Sequence, residues 1–376
     1  MTQHTIRRRG LIGAAGAIAV VHAWPAHAED QPIVIGQSGH LSGPLAPSFK
    51  GTLAGQRIAL DEFNAKGGVE GRMVKLVQLD DAYDPAKCAQ NVQKLIDEEK
   101  CTALFGLAAT GNVAAVLPML MDKQVPLVGV YTGSPSLRAK HHPYFFTTMA
   151  SYRDEVLKMV KNQKTLMRDR IALVYMNNAF GQLMVPVINE VVKEQDAKLV
   201  ASVAFEPDAK NTAAVVKSLT DAKPDAVVIM AFGPPIVPLV KAIRGSLSVP
   251  QYAVSIANSK SLIAALGDDA RGLVFTSLIT DPWRPTGLAG ELNAAMAKAN
   301  IPVDHDHFFG YLNLRILLEG LRRAGRAVTP KLLVAAMERM SQVDFGGYAV
   351  SYGPTKHHGT SYVDIVIIGE GGRYLR

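Results

Sequence analysis

Short apolar runs alternate with helix-length amphipathic stretches through almost all of this 376-residue chain. That alternation constrains its fold more than any single motif. Ile33-Val34-Ile35 reads as a strand, Leu53 to Ala65 as a helix with a period near 3.6, and Lys66-Gly67-Gly68 as its stop. Strands at Val74 to Leu79, Ala103 to Gly106 and Val125 to Val130 then alternate with helices at Pro85 to Glu99 and Val113 to Met121. A second series succeeds it, with helix at Tyr152 to Lys164, strand at Ile171 to Tyr175 and helix at Gly181 to Glu194. It continues to a strand at Leu273 to Thr276. The run Ala226 to Met230 is apolar throughout, as a strand covered on both faces requires. The pattern predicts an α/β protein with two doubly wound, Rossmann-like lobes.

After about Thr280 the pattern is mostly helical, at Leu288 to Ala299, Phe308 to Ala324 and Pro330 to Met340. Short strands near Tyr348 to Val350 and Val363 to Ile368 close the chain. No low-complexity linker separates the lobes, so a chain that crosses between them several times, a multi-strand hinge, is expected. We assign residues 29–149 plus about 280–346 to the first lobe. Residues 150–279 plus about 347–376 go to the second.

Residues 1–28 read as an export signal. Arg7, Arg8 and Arg9 are its positive region, Leu11 to Ala23 a short apolar core, and Ala26-His27-Ala28 a small-x-small cleavage site. The mature chain is expected to start near Glu29 and to be soluble in the periplasm. Arg8-Arg9-Gly10-Leu11-Ile12 also resembles a twin-arginine signal, and both export routes stay open. No later segment reaches the ~20 apolar residues of a spanning helix. Removing the leader and its three Arg lowers the formal charge from +7 to +4. With no basic cluster interleaved with aromatics, nucleic-acid binding has no support. Cys88 lies near the start of the predicted helix Pro85 to Glu99 and Cys101 follows its end, which would hold them nearly 20 Å apart, against the ~7 Å limit of a disulfide. Both are expected to be free and buried.

Enzyme constellations are missing from the sequence. GQSGH (36–40) is like a nucleophile elbow, but His40 stands where glycine is required. No GxxxxGK or helix-opening GxGxxG is present, so no nucleotide and no cofactor is expected. Asp304-His305-Asp306-His307 is the best metal candidate, and a solvated helix start is the commoner use of such a run. His141-His142 and His357-His358 read as loop residues. Asp84 followed by Pro85 reads as a helix cap in preference to a metal site. Gly67, Gly68 and Gly71 suit a sharp helix-to-strand turn.

Doubly wound sheets bind ligands at the carboxyl ends of their strands. There the sequence places Ser42 to Ser48, Ala108-Ala109-Thr110 and Tyr131-Thr132-Gly133, small residues joined to hydroxyls before a helix. Helix capping by Thr110 and Ser134 is the plainer use of such residues, and binding of an anion at exposed N–H groups the other.

The stretches GHLSGPLAP (39–47), NAKGGVEGRMVKLVQLDDAYDP (64–85) and ALFGLAATG (103–111) resemble the branched-chain amino-acid-binding family. These are type I periplasmic solute-binding proteins of ABC transporters. Elements in the same order continue through VPLVGVYTGSPSL (125–137), RIALVYMNNAFG (170–181) and PDAVVIMAFG (224–233) to GYLNLRILLEGLRRAG (310–325). The combination of NxxGGxxG and DDxxDP after an export signal carries the resemblance. It implies a non-enzymatic, monomeric receptor that closes on a small solute and docks on a membrane permease, or a ligand sensor of the same fold. It also implies ligand contacts from Ser48, Ala108, Thr110, Tyr131, Thr132 and Gly133 in the first lobe. In the second it implies Tyr152, Phe180, Phe232 and Ser255. Phe180 and Phe232 replace tyrosines common in amino-acid binders, and core packing is their alternative role. Amino-acid members usually carry an acid where Ser255 stands. AVSIANS (253–259) has none, so the expected ligand lacks a free ammonium group: an organic acid, aromatic ones included, or an amide.

Overall fold

The computed structural model describes residues 1–2, 31–43 and 46–376. The export signal and its cleavage site lie outside the described residues, apart from Met1 and Thr2.

The first sheet is built from β1 (Ile33–Gly39), β2 (Val74–Asp80), β3 (Ala103–Phe105), β4 (Leu127–Val128) and β5 (Phe145–Phe146). Its order is β2-β1-β3-β4-β5, parallel throughout. The intervening helices are α1 (Ala46–Ala65), α2 (Pro85–Asp97) and α3 (Thr110–Lys123). Asp84 caps α2, its Oδ1 accepting from the N–H groups of Ala86 at 2.7 Å and Lys87 at 2.9 Å, with Pro85 in the first turn. Gly67, Gly68 and Gly71 all take positive φ in the turn into β2.

The chain then crosses to a second series. It runs α4 (Tyr152–Thr165), β6 (Arg170–Met176), α5 (Ala179–Glu194), β7 (Lys198–Phe205) and α6 (Thr212–Ala222). It goes on through β8 (Ala226–Met230), α7 (Ile236–Ser246), β9 (Gln251–Ala253), α8 (Lys260–Leu266) and β10 (Val274–Ser277). Every residue of β8 is buried, as its unbroken apolar run requires. A second crossing returns the chain to pack α9 (Gly287–Lys298), α10 (His305–Ala324) and α11 (Pro330–Glu338) into the first core. The small pair β11 (Val343–Asp344) and β12 (Ala349–Val350) comes next. A third crossing adds β13 (Asp364–Ile368) and β14 (Tyr374–Leu375) to the second sheet, whose order is β14-β13-β10-β9-β8-β6-β7. β13 runs antiparallel to β10.

Met149, Ala150 and Leu278 form a small core of their own with Val363 packed on it, so the three crossing segments meet. α1 and α10 pack through glycines: a Cβ at Gly55 would collide with the His307 carbonyl, and one at Gly310 with that of Thr52. This close approach brings the start of α10 beside α1.

Tyr348, Val350 and Tyr352 belong to the first core, although the sequence pattern assigns residues from about 347 onward to the second lobe. The Tyr348 hydroxyl donates to the Thr148 carbonyl at 2.6 Å and that of Tyr352 to Thr147 at 3.0 Å, holding the segment beside β5. The chain rejoins the second sheet at Asp364. Cys88 and Cys101 are free thiols in the core under α2, and burial pushes both up to about 12.

Candidate functional site

A cavity of about 330 Å³ opens between the two sheets at the carboxyl ends of their strands. The first series supplies His40 after β1, Ala108 and Ala109 after β3, and Tyr131 after β4. The second supplies Tyr152 at the start of α4, Phe232 after β8 and Ser255 after β9. Met149 and Leu278 of the crossing segments also line it. Most of the wall is apolar, and much of it is aromatic.

The first-lobe wall is locked from behind. His40 Nδ1 lies 3.3 Å from Asp81 Oδ1, and Asp81 also accepts from Ser38 Oγ and the Tyr83 N–H, each at 2.9 Å. Burial alone would raise the Asp81 carboxyl. The bonds from His40, Tyr83 and Ser38 outweigh it and hold the group below the usual carboxylate range. The His40 ring sits 5.4 Å from Phe49 and 5.0 Å from Tyr83. Tyr131 packs between Phe49 at 5.4 Å and Phe309 at 5.2 Å, and its hydroxyl accepts from Gln56 Nε2 at 2.7 Å. Burial raises the Tyr131 phenol, which therefore stays neutral. Ala109 stands at the start of α3 with φ 71° and ψ 137°, and no side chain caps that helix. A non-glycine residue at positive φ marks stored strain, here on the cavity wall.

The second-lobe wall carries a hidden acid. Glu155 of α4 is fully buried and accepts from the Ser255 N–H at 2.8 Å, the Ser255 hydroxyl at 2.9 Å and the Thr276 hydroxyl. Burial dominates and pushes its carboxyl up to about 7, against the three hydrogen bonds. Because Ser255 donates its proton to Glu155, its oxygen is left to accept.

Of the ten residues the sequence singled out, Ala108, Tyr131, Tyr152, Phe232 and Ser255 line the cavity. Four others sit behind the wall. Thr110 Oγ1 and Thr132 Oγ1 pair at 2.8 Å, and the Gly133 carbonyl accepts from the Tyr152 N–H at 2.7 Å, joining the lobes. Phe180 packs between Tyr152 at 5.2 Å and Phe232 at 5.5 Å as a supporting ring. Ser48 falls in α1, and its side chain lies outside what the structure describes.

Several lining residues went unread in the sequence, among them Phe49, Tyr83, Phe309, Asn258 and the pair His305 and Asp306. The last pair corrects an expectation. His305 is buried and Asp306 lines the cavity, so the start of α10 is not simply solvated. Ser255 has no acid in its place, but the cavity is not free of acids, because Asp306 reaches it from the opposite lobe. The metal alternative finds no group of three ligating side chains among the described residues. Asp304 instead caps α10, accepting from the His307 N–H at 2.9 Å and pairing with its Nδ1 at 2.6 Å. Among the described residues no helix is long and apolar enough to cross a membrane.

Comparison with known proteins agrees with this geometry. The periplasmic binding protein family model matches residues 32–373. A Leu/Ile/Val-binding protein of Rhizobium johnstonii is 24% identical over 343 residues, covering 88% of this chain and 89% of that protein. A Leu/Ile/Val-binding protein of Escherichia coli is 24% identical over 271 residues, covering 70% and 71%. Among solved structures, a possible leucine/isoleucine/valine-binding protein from Rhodopirellula baltica superposes with a TM-score of 0.84 at 25% identity, over 93% of this chain and 97% of that one. A branched-chain amino acid ABC transporter structure from Thermus thermophilus with bound valine reaches 0.82 at 20% identity, over 92% and 95%. With two doubly wound lobes, three crossings and a cavity at the strand ends, this chain belongs to the periplasmic binding protein family.

Proposed function

We propose that the chain is the solute-binding protein of an ABC importer. It works in the periplasm as a monomer, captures a small organic solute between its lobes, closes about the three crossings and delivers the solute unchanged to membrane permease subunits. The single observation that carries this reading is the apolar cavity at the strand ends, walled by both lobes and by the crossing segments themselves. Hinge closure there exchanges cavity water for the solute, and the rings of Tyr131, Tyr152, Phe232 and Phe309 cover an apolar body. The uncapped start of α3 offers backbone N–H groups to an oxygen of the solute. The Leu/Ile/Val names of the relatives and the valine of the Thermus structure support an amino-acid-like solute. The ring-rich wall supports aromatic bodies as well. No reaction on the solute is needed, in keeping with a solute-binding family.

Native mass spectrometry of the purified protein, before and after unfolding and refolding, tests the proposal. We expect one small organic molecule bound per monomer, lost on refolding and restored by the material released. A protein that carries and recaptures nothing overturns it.

A further inference from the structure

Two adjacent histidine pairs, far apart in the sequence, meet at the edge of the first sheet. His141 and His142 lie in the loop before β5, and His357 and His358 in the strap that follows β12. The strap runs along the end of β5. The Thr147 N–H donates to the His357 carbonyl at 2.9 Å, and the Gly359 N–H to the Thr147 carbonyl at 3.0 Å. The His357 ring is 2% exposed, stacks on Phe146 at 3.8 Å and meets the His141 ring edge-on at 4.6 Å. Beyond this contact the strap leads to Val363 of the third crossing, and β5 leads to Met149 and Ala150 of the first.

Hydrogen-bond partners fix the neutral form of two of these rings. His142 Nδ1 accepts from the Tyr144 N–H at 3.2 Å, so its hydrogen sits on Nε2, 3.0 Å from the Leu117 carbonyl of α3. His358 donates to the Arg138 backbone carbonyl, which leaves its Nδ1 to accept from the Thr147 hydroxyl at 3.2 Å. A second proton on either ring breaks one of these bonds and brings no new acceptor. His357 Nδ1 donates to the His142 carbonyl at 3.0 Å, and its Nε2 faces Glu338 Oε1 of α11 at 3.2 Å. The charged or titratable groups facing the three rings are Arg138, His141, Glu338 and the rings themselves, with the Tyr352 phenol against Phe146 behind them. Lys140 and Lys356, beside the pairs in sequence, are exposed. Glu338 is the one acid in this set. Burial lowers all three imidazoles and their cationic or imidazole neighbours add to it, taking His358 to about 4.

We propose that the two pairs form an acid-sensitive clasp: neutral, they hold the strap on β5, and protonation of His142 and His358 releases it and loosens the third crossing. As pH falls through the ordinary 6.5 of an imidazole, the opened strap takes up protons while the docked rings resist. The clasp is therefore at full strength above 6.5 and weakens as pH falls toward about 4. Two of the three crossings are joined through it, so the hinge loses a fixed point in acid. The inference goes beyond the solute-binding reading and holds whatever the solute.

Hydrogen exchange on the full chain tests this at the Thr147 and Gly359 amides, the rungs of the clasp, after correction for the intrinsic pH dependence of exchange. The readout is local because Glu155 acts on global stability with the opposite sign over this range. In the native protein, protection of these amides should fall at least about tenfold between about pH 7 and about pH 5. In the double variant His142→Asn, His358→Asn, whose amide side chains hydrogen-bond without titrating, the fall should shrink to within about threefold. NMR titration of the native imidazoles is the second measurement and needs no variant. His142 and His358 should take up protons below the ordinary 6.5. Unchanged protection in the native protein, a fall that persists in the double variant, or titration of His142 and His358 at the ordinary value each overturns the inference.

Discussion

Among the described residues each lobe keeps one fully buried carboxylate behind the cavity wall, and the two behave in opposite ways. Asp81 in the first lobe sits against an imidazole, a hydroxyl and a backbone N–H, and is held below the usual range. Glu155 in the second lobe also has three donors, none of them a cation, and burial wins, raising it to about 7. At Asp81 the three hydrogen bonds together outweigh desolvation, with the His40 charge a smaller addition; at Glu155 desolvation outweighs three hydrogen bonds. The first-lobe wall is thereby a preorganised surface, while the second-lobe wall holds an acid that changes state near neutrality.

Removing the first carboxylate should disturb this contrast most severely. Asp81→Ala leaves His40, Ser38 and the Tyr83 N–H without their acceptor. We expect a loss on the order of 3–5 kcal/mol in denaturant unfolding. A change below about 1 kcal/mol would show that His40 does not depend on Asp81.

The pH dependence separates the two acids next. Glu155 has a folded value of about 7 against 4.5 for the ordinary group, so the folded state holds the proton more tightly across that interval. Its contribution therefore falls as pH rises from 4.5 to 7 and levels off above, on the order of 3 kcal/mol in all. Glu155→Gln should remove that slope in urea melts. Asp81 has the opposite sign: its stabilisation is present above its ordinary 3.8 and is lost as pH falls through its lower folded value. A native protein with no slope between pH 5 and 7 contradicts the contrast.

Two smaller changes probe the walls. Ser255→Ala takes one donor from Glu155 and should cost about 1 kcal/mol, while moving the Glu155 midpoint further up, as NMR titration can follow. Thr110→Val removes one member of a part-buried hydroxyl pair that sits behind the wall. We expect a loss of about 0.5–1 kcal/mol, with solute affinity changed less than about threefold.

The same physics decides how much of the molecule is legible in its residues. The strands and helices announce themselves because their periods are local, as in the unbroken Ala226 to Met230 run or the Asp84-Pro85 start of α2. The carboxyl ends of the strands are equally legible, hence Ala108 and Tyr131, whereas Tyr152, Phe232 and Ser255 rest on the family resemblance. Which side chains turn inward is not. Thr110 and Thr132 pair with each other, an arrangement between the first residue of α3 and the loop after β4 that no spacing encodes. Glu155 sits in Tyr152-Arg153-Asp154-Glu155, which reads as an ordinary charged helix start, and only the packing of α4 on β10 buries it. Asp306 reaches the cavity because glycines let α10 approach α1, a contact between segments some 250 positions apart. Its one local signal is the unusual density of Asp and His at 304–307.

Closure of the lobes on a solute can be measured directly by small-angle X-ray scattering. Three samples are needed: the purified protein, the same protein unfolded and refolded free of solute, and the refolded protein after the released material is added back. We expect a larger radius of gyration for the solute-free protein and a return to the smaller value on addition. One unchanging radius in all three samples, with solute demonstrably bound, would contradict hinge closure.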